Sequence, residues 1–158
     1  AVLAKNPFMV SAPMPVEICK MITDLVIAGV ADFLKSSGRS ELSSVNVYER
    51  DFGSDLAYPA IIVTDDGTPE EDEIIRGQWT VPVAVILRTA PEGDENATSH
   101  RLITKTINDL VGDSDAVVEH LGGTMQCNDS LGGQGTTETS DGFRETTFTV
   151  EVKAAELS

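Results

Sequence analysis

Four consecutive carboxylates, Glu70, Glu71, Asp72 and Glu73, form the most concentrated chemistry in the chain, with Asp65 and Asp66 just upstream. Such a cluster could hold a hard cation. A calcium loop, however, needs oxygens at alternate positions and a glycine at the sixth, and this spacing does not supply them. The acids read better as solvated charges on a hairpin. Gly132-Gly133-Gln134-Gly135 invites comparison with a phosphate cradle. A cradle joins a strand to a helix N-terminus and often carries a lysine. Here both flanks read as strand and no lysine is near, so a flexible hairpin loop is expected. His100 and His120 could act as general bases. Neither stands in a pattern of Ser, Cys and carboxylate that would make a triad, and surface or capping roles are expected for both. Cys19 and Cys127 lie in apolar-periodic segments and read as two buried free thiols, with a disulfide left open. Two Cys and two His far apart in the chain make no zinc pattern. No catalytic residue, metal site or cofactor is assigned, and no enzyme is expected.

The totals bound the partners. Net charge is −15, with 11 Lys and Arg against 26 Asp and Glu. A nucleic-acid binder needs a basic stripe to displace counterions from phosphate, and the scattered cations offer none. Length, 158 residues, suits one domain of ordinary size with its own core. Aromatics make up only 5%, so Val, Ile, Leu and Ala must fill that core. The apolar run from Val16 to Leu34 is broken by Glu17, Lys20, Asp24 and Asp32, which marks a core helix and not a membrane span. The first residues show no charged segment leading into an apolar one, and synthesis in a reducing cytoplasm is expected.

The elements that position these residues follow from periodicity. Residues 1–14 read as an extended arm and 15–158 as a single α+β domain. Ile18, Ile22, Leu25, Gly29 and Phe33 share one face of a first helix that starts near Pro15 and stops at Gly38, and Met21, Val26, Val30 and Leu34 widen the stripe. Val45 and Val47 open a first strand, and Tyr58 to Thr64 make a second. A third is expected from about Ile74 to Thr89, with Trp79, Val81, Val83, Val85 and Leu87 on one face. Pro82 places one side of it at an edge or a bulge, and Gly77 marks a second bulge. Asn96 is the expected cap of a second helix whose stripe is Leu102, Ile103, Thr106, Ile107, Leu110 and Val111. A short third helix ends at Gly122-Gly123. Met125 and Cys127 suggest a fourth strand, Ser130 to Gly142 a polar loop, and Phe143 to Ala154 a last strand. The sum is a mainly antiparallel sheet of about five strands, with two or three helices on one face and a more polar opposite face.

This layout resembles the tail terminator, or tail completion, proteins of long-tailed bacteriophages. The matching features are the helix from Pro15 to Ser36, the long hairpin from Asp65 to Gly77, the helix from Ala97 to Val111, and the closing strands with their Gly-rich loop. The resemblance implies a virion protein at the tail–neck junction. Such a protein forms a hexameric ring of identical subunits that caps the tail tube, joins the neck or connector protein and lets DNA pass. A negative lumen would let phosphate slide by without sticking. In that setting Glu70, Glu71, Asp72 and Glu73 become a contact and part of the lumen wall. Ile74 and Ile75 would serve as an apolar anchor for the next subunit and Arg76 as a countercharge. A tail-tube or neck component of the same virion, or a small non-viral binding module, are the other readings.

Overall fold

The structure, a computed structural model, describes residues 14–50, 57–74, 76–90, 93–123, 125–133, 135–139 and 143–155. Residues 1–13 of the expected arm and Ile75 lie outside the described residues, and Met14, counted as the arm's last residue, already begins the first helix. Among those described are three helices, α1 (Met14–Lys35), α2 (Asp94–Val111) and α3 (Ser114–Leu121). The strands are β1 (Asn46–Glu49), β2 (Ala60–Asp65), β3 (Glu70–Glu71), β4 (Gln78–Thr89), β5 (Gln126–Gly132), β6 (Thr136–Thr139) and β7 (Arg144–Ala155).

The fold is α+β, with a mixed and mostly antiparallel sheet. Where about five strands were expected, the described residues form seven, in the order β1-β2-β4-β7-β5, with β3 also on β4 and β6 also on β7. The two extra strands carry no apolar alternation. Glu70–Glu71 is all charge and Thr136–Thr139 is all polar, so periodicity could not reveal them. One pair, β1 with β2, is parallel, in register Val47 to Ile61. Alternation reports which face a side chain takes and nothing about strand direction.

Two twelve-residue strands organise everything else. β4 and β7 pair over their whole length, from Gln78 opposite Ala155 to Thr89 opposite Arg144. Each carries two shorter strands end to end along its outer edge: β2 and β3 on β4, β5 and β6 on β7. Residues 66–69 and 133–135 are the breaks between them. The third strand therefore starts at Gln78 and not at Ile74, because residues 72–77 turn the β3–β4 hairpin. Gly77 is no bulge; its φ of +84° serves that turn. Pro82 sits inside the sheet, opposite Glu151. Even-numbered residues of β4 aim their backbone polar groups toward β2 and β3, as the bonds from Asp66 N–H to the Pro82 carbonyl and from Asp72 N–H to the Gln78 carbonyl show. The missing N–H of Pro82 thus faces the break between β2 and β3, the local edge that its chemistry demands.

The core lies between the odd-numbered residues of β4 and the helices. Val81, Val83, Val85 and Leu87 meet Phe148, Val150 and Val152 of β7 and the buried stripes of all three helices. Full burial of such side chains contributes about 1.5–3 kcal/mol each. On α1 the buried stripe is Ile22, Val26, Val30 and Leu34, spaced by four. All four, with Phe33, belong to the expected stripe; within it Met21 is exposed and Leu25 only half-buried. Gly29 lies where a Cβ would come within 3.0 Å of the Leu121 side chain, which lets α3 approach α1 closely. Gly38 takes the left-handed conformation expected after α1, with φ +73°. On α2, Ile103, Ile107 and Val111 are buried, whereas Leu102 is exposed. Helix α2 starts after Gly93 and not after Asn96. The sheet's second face is not simply polar, because Ala60 and Ile62 are fully buried there.

Candidate functional site

The acidic residues singled out by sequence fall into two groups. Asp65 ends β2 and pairs with Arg50 at 2.9 Å, and Arg50 also pairs with Asp24 of α1. Asp66 accepts a hydrogen bond from the Thr149 hydroxyl. Glu70 to Glu73 stand apart, on the β3–β4 hairpin. Glu70 and Glu71 form β3 opposite Thr80 and Trp79. The tip is held by its own carboxylates: Ile74 N–H donates to Asp72 Oδ1 at 2.8 Å and Gly77 N–H to Glu71 Oε2 at 3.0 Å. Arg76, 85% exposed, lies 3.7 Å from Glu71. Ile74 is 91% exposed, the most exposed of the large hydrophobic residues described. The hairpin thus presents charge and one apolar side chain to its surroundings. Among the described residues no group of three or more His, Cys, Asp or Glu is arranged to hold a metal.

The Gly-rich segment is neither a cradle nor a free loop. It is the break between β5 and β6, and its glycines make room. A Cβ at Gly132 would meet the Val111 carbonyl oxygen at 2.3 Å, and one at Gly135 would meet Thr146 and Phe148 at 2.5 and 2.8 Å. Gln134 lies outside the described residues.

His100 corrects the expectation of a surface role, being only 2% exposed. Its Nδ1 lies 2.8 Å from Thr89 Oγ1 and its Nε2 2.6 Å from Thr146 Oγ1, which in turn lies 2.8 Å from Thr137 Oγ1. One imidazole so ties α2 to β4, β7 and β6. Burial, helped by the Arg144 charge, lowers its pKa to about 4. A neutral ring of such low basicity is a poor general base near neutral pH. His120 is half-buried, bonded to Asp32 of α1 at 2.8 Å and edge-on to Phe33, a strut between α3 and α1. Cys127 is a free, half-buried thiol whose pKa is raised by burial. The side chain of Cys19 lies outside the described residues.

Beside His100 opens a feature that sequence reading missed, a 610 Å³ cavity between α2 and strands β6 and β7. Arg101, Lys105 and Arg144 line it, together with Thr104 and Asn108, and no Asp or Glu does. The Thr104 hydroxyl oxygen is buried without a hydrogen-bond partner among the described residues. The helical part of the lining was legible: residues 97, 101, 104, 105 and 108 share a face at helical spacing. The arrival of Arg144 from 36 or more residues further on was not, because only the β7 register brings it there.

At one end of the β4–β7 pair, then, lies an acidic hairpin with an exposed isoleucine, and at the other a cation-lined cavity. No helix among the described residues is long and apolar enough to cross a membrane. No protein-family model matches the chain, and no curated protein matches it either.

Proposed function

We propose that the chain is a structural virion protein, a tail terminator whose copies close into a hexameric ring. The ring would cap the tail tube, join it to the neck or connector protein and let DNA pass through its lumen. The observation that carries the reading is the projecting β3–β4 hairpin, where Ile74 stands 91% exposed beside four carboxylates. In this reading that side chain is the apolar part of a contact with another subunit, framed by the hairpin's carboxylates. The element order, one long helix, a sheet, two helices and closing strands, supports the family layout. The net charge of −15 supports a lumen that phosphate passes without adhering. In this reading the protein has no catalytic role, is made in the host cytoplasm and ends at the tail–neck junction.

The test is mass by light scattering, alone and with cognate tail tubes, together with electron microscopy of tube ends. A terminator forms one closed ring and stops tube growth. A tube protein would polymerise into long cylinders without help. A subunit that stays monomeric with tubes present overturns the reading, as does sub-micromolar DNA binding or metal-dependent DNA cleavage by the isolated protein.

A further inference from the structure

We infer that the cation-lined cavity of one copy receives the acidic β3–β4 hairpin of a second copy, so that subunits join head to tail. Three observations converge. The cavity gathers Arg101, Lys105 and Arg144 with no acidic lining residue, in a chain where acids outnumber cations 26 to 11. Arg101 and Lys105 are exposed and form no ion pair among the described residues, whereas Arg39, Arg50, Arg76 and Arg88 all pair with acids of their own subunit. Lys20, Lys35 and Lys153 likewise form no ion pair among the described residues, but the cavity is where such cations are gathered with no acid among its lining residues.

The hairpin is the complementary surplus. Glu70 and Glu73 are exposed, and Ile74 next to them has no apolar cover. The cavity offers both chemistries the hairpin needs. Its cations come from α2 and β7, and Ala97, Gly135 and Phe148 add apolar lining.

Position decides that the contact is between copies. The hairpin lies beyond the Gln78–Ala155 end of the β4–β7 pair, and the cavity borders residues 144–148 at the opposite end. About nine strand residues separate them, ~30 Å at about 3.3 Å per residue. A rigid two-strand spine keeps a subunit's hairpin away from its own cavity. Donor and acceptor are different surfaces, so the contact is heterologous, the kind that generates a ring when its rotation closes.

The inference rests on the self-assembling reading above, and a charge swap on the full chain separates the two. One variant carries Arg101→Glu with Lys105→Glu, the other Glu70→Lys with Glu73→Lys; all four side chains are exposed or on the hairpin, and circular dichroism checks that each variant folds. Light scattering should find the wild type as a multiple of 16.8 kDa and each variant alone as a monomer. An equimolar mixture should regain the wild-type mass, because alternating copies then present opposite charges at every contact. Either variant assembling alone, or a folded mixture that stays monomeric, overturns the inference. So does short single-stranded DNA or inorganic phosphate bound at Arg101 and Lys105 while the hairpin variant still assembles, which would assign the cavity to phosphate. If the charge swap succeeds but the rings ignore tail tubes, the interface stands and the terminator reading falls. If the wild type caps tubes and the charge variants do so equally well, the reverse holds.

Discussion

The two ends of the β4–β7 pair are built from the same register and put to opposite uses. At the Thr89–Arg144 end, polar groups are drawn inward: His100 is buried between two threonines, and Arg88 pairs with Glu145 at 2.8 Å while stacking on Phe143. At the Gln78–Ala155 end, polar groups are pushed outward onto a two-residue strand and its turn. An interior polar network must be fully satisfied or it costs folding energy, whereas a solvated hairpin costs folding little whatever it carries. Changes to the buried groups of the first end should register in stability, and changes to the hairpin only in assembly.

The largest expected effect is at the cavity's apolar lining. Phe148 is fully buried, and Phe148→Ala should lower the unfolding free energy by about 3–5 kcal/mol, read from the urea midpoint. An effect below ~1 kcal/mol would erase the contrast between the ends. His100 gives a pH signature of similar size. Its folded pKa, about 4, lies below the 6.5 of an unperturbed histidine. Above pH 6.5 both states are neutral and the group contributes no slope. Below it the unfolded chain takes up a proton that the folded chain refuses. Stability is therefore lost as pH falls from 6.5 to about 4, by about 3 kcal/mol. His100→Gln should flatten that part of the urea-monitored profile, and a wild-type profile with no loss there would remove His100 from the account.

Arg88→Ala, which breaks a half-buried ion pair and a cation–π contact, should cost about 1–2 kcal/mol by thermal unfolding. Ile74→Ser sits at the bottom of the scale, within about 0.5 kcal/mol of the wild type, yet it should abolish assembly by light scattering. Unfolding of that variant would place Ile74 in the subunit's own core and reverse the comparison.

What the sequence disclosed tracks what periodicity can encode. The Trp79 to Leu87 alternation, the α3 stop at Gly122 and the Phe148 to Val152 alternation were all readable, because one apolar face repeats at a fixed period. The stripe on α1 was found but drawn too wide, since Met21 and Val26 have equal claims until a sheet is there to choose between them. The α2 start was misplaced at Asn96 because a capping residue type is not itself a cap; the chain uses Gly93 at φ +94°. Strands β3 and β6 exist only because β4 and β7 offer them a ladder. Of the candidate surface, the hairpin acids and Ile74 were legible as a local run. The cavity was not, because its cations come from two elements that only tertiary register unites. His100 was misjudged for the same reason: Thr89 and Thr146, its partners, are distant in sequence.

Pro82 bears on a hazard that any self-assembling subunit faces. Between β2 and β3, the flank of β4 is briefly uncovered, and an ordinary residue there would hold out an unused backbone donor. A bare donor on a strand flank is where stray chains begin to pair and aggregation starts. Proline withholds the donor, and its carbonyl is already taken by Asp66. If the chain assembles as proposed, the same subunit leaves a hairpin open to partners and closes this accidental flank, and Pro82→Val would be expected to show its cost in solubility before it shows in the fold.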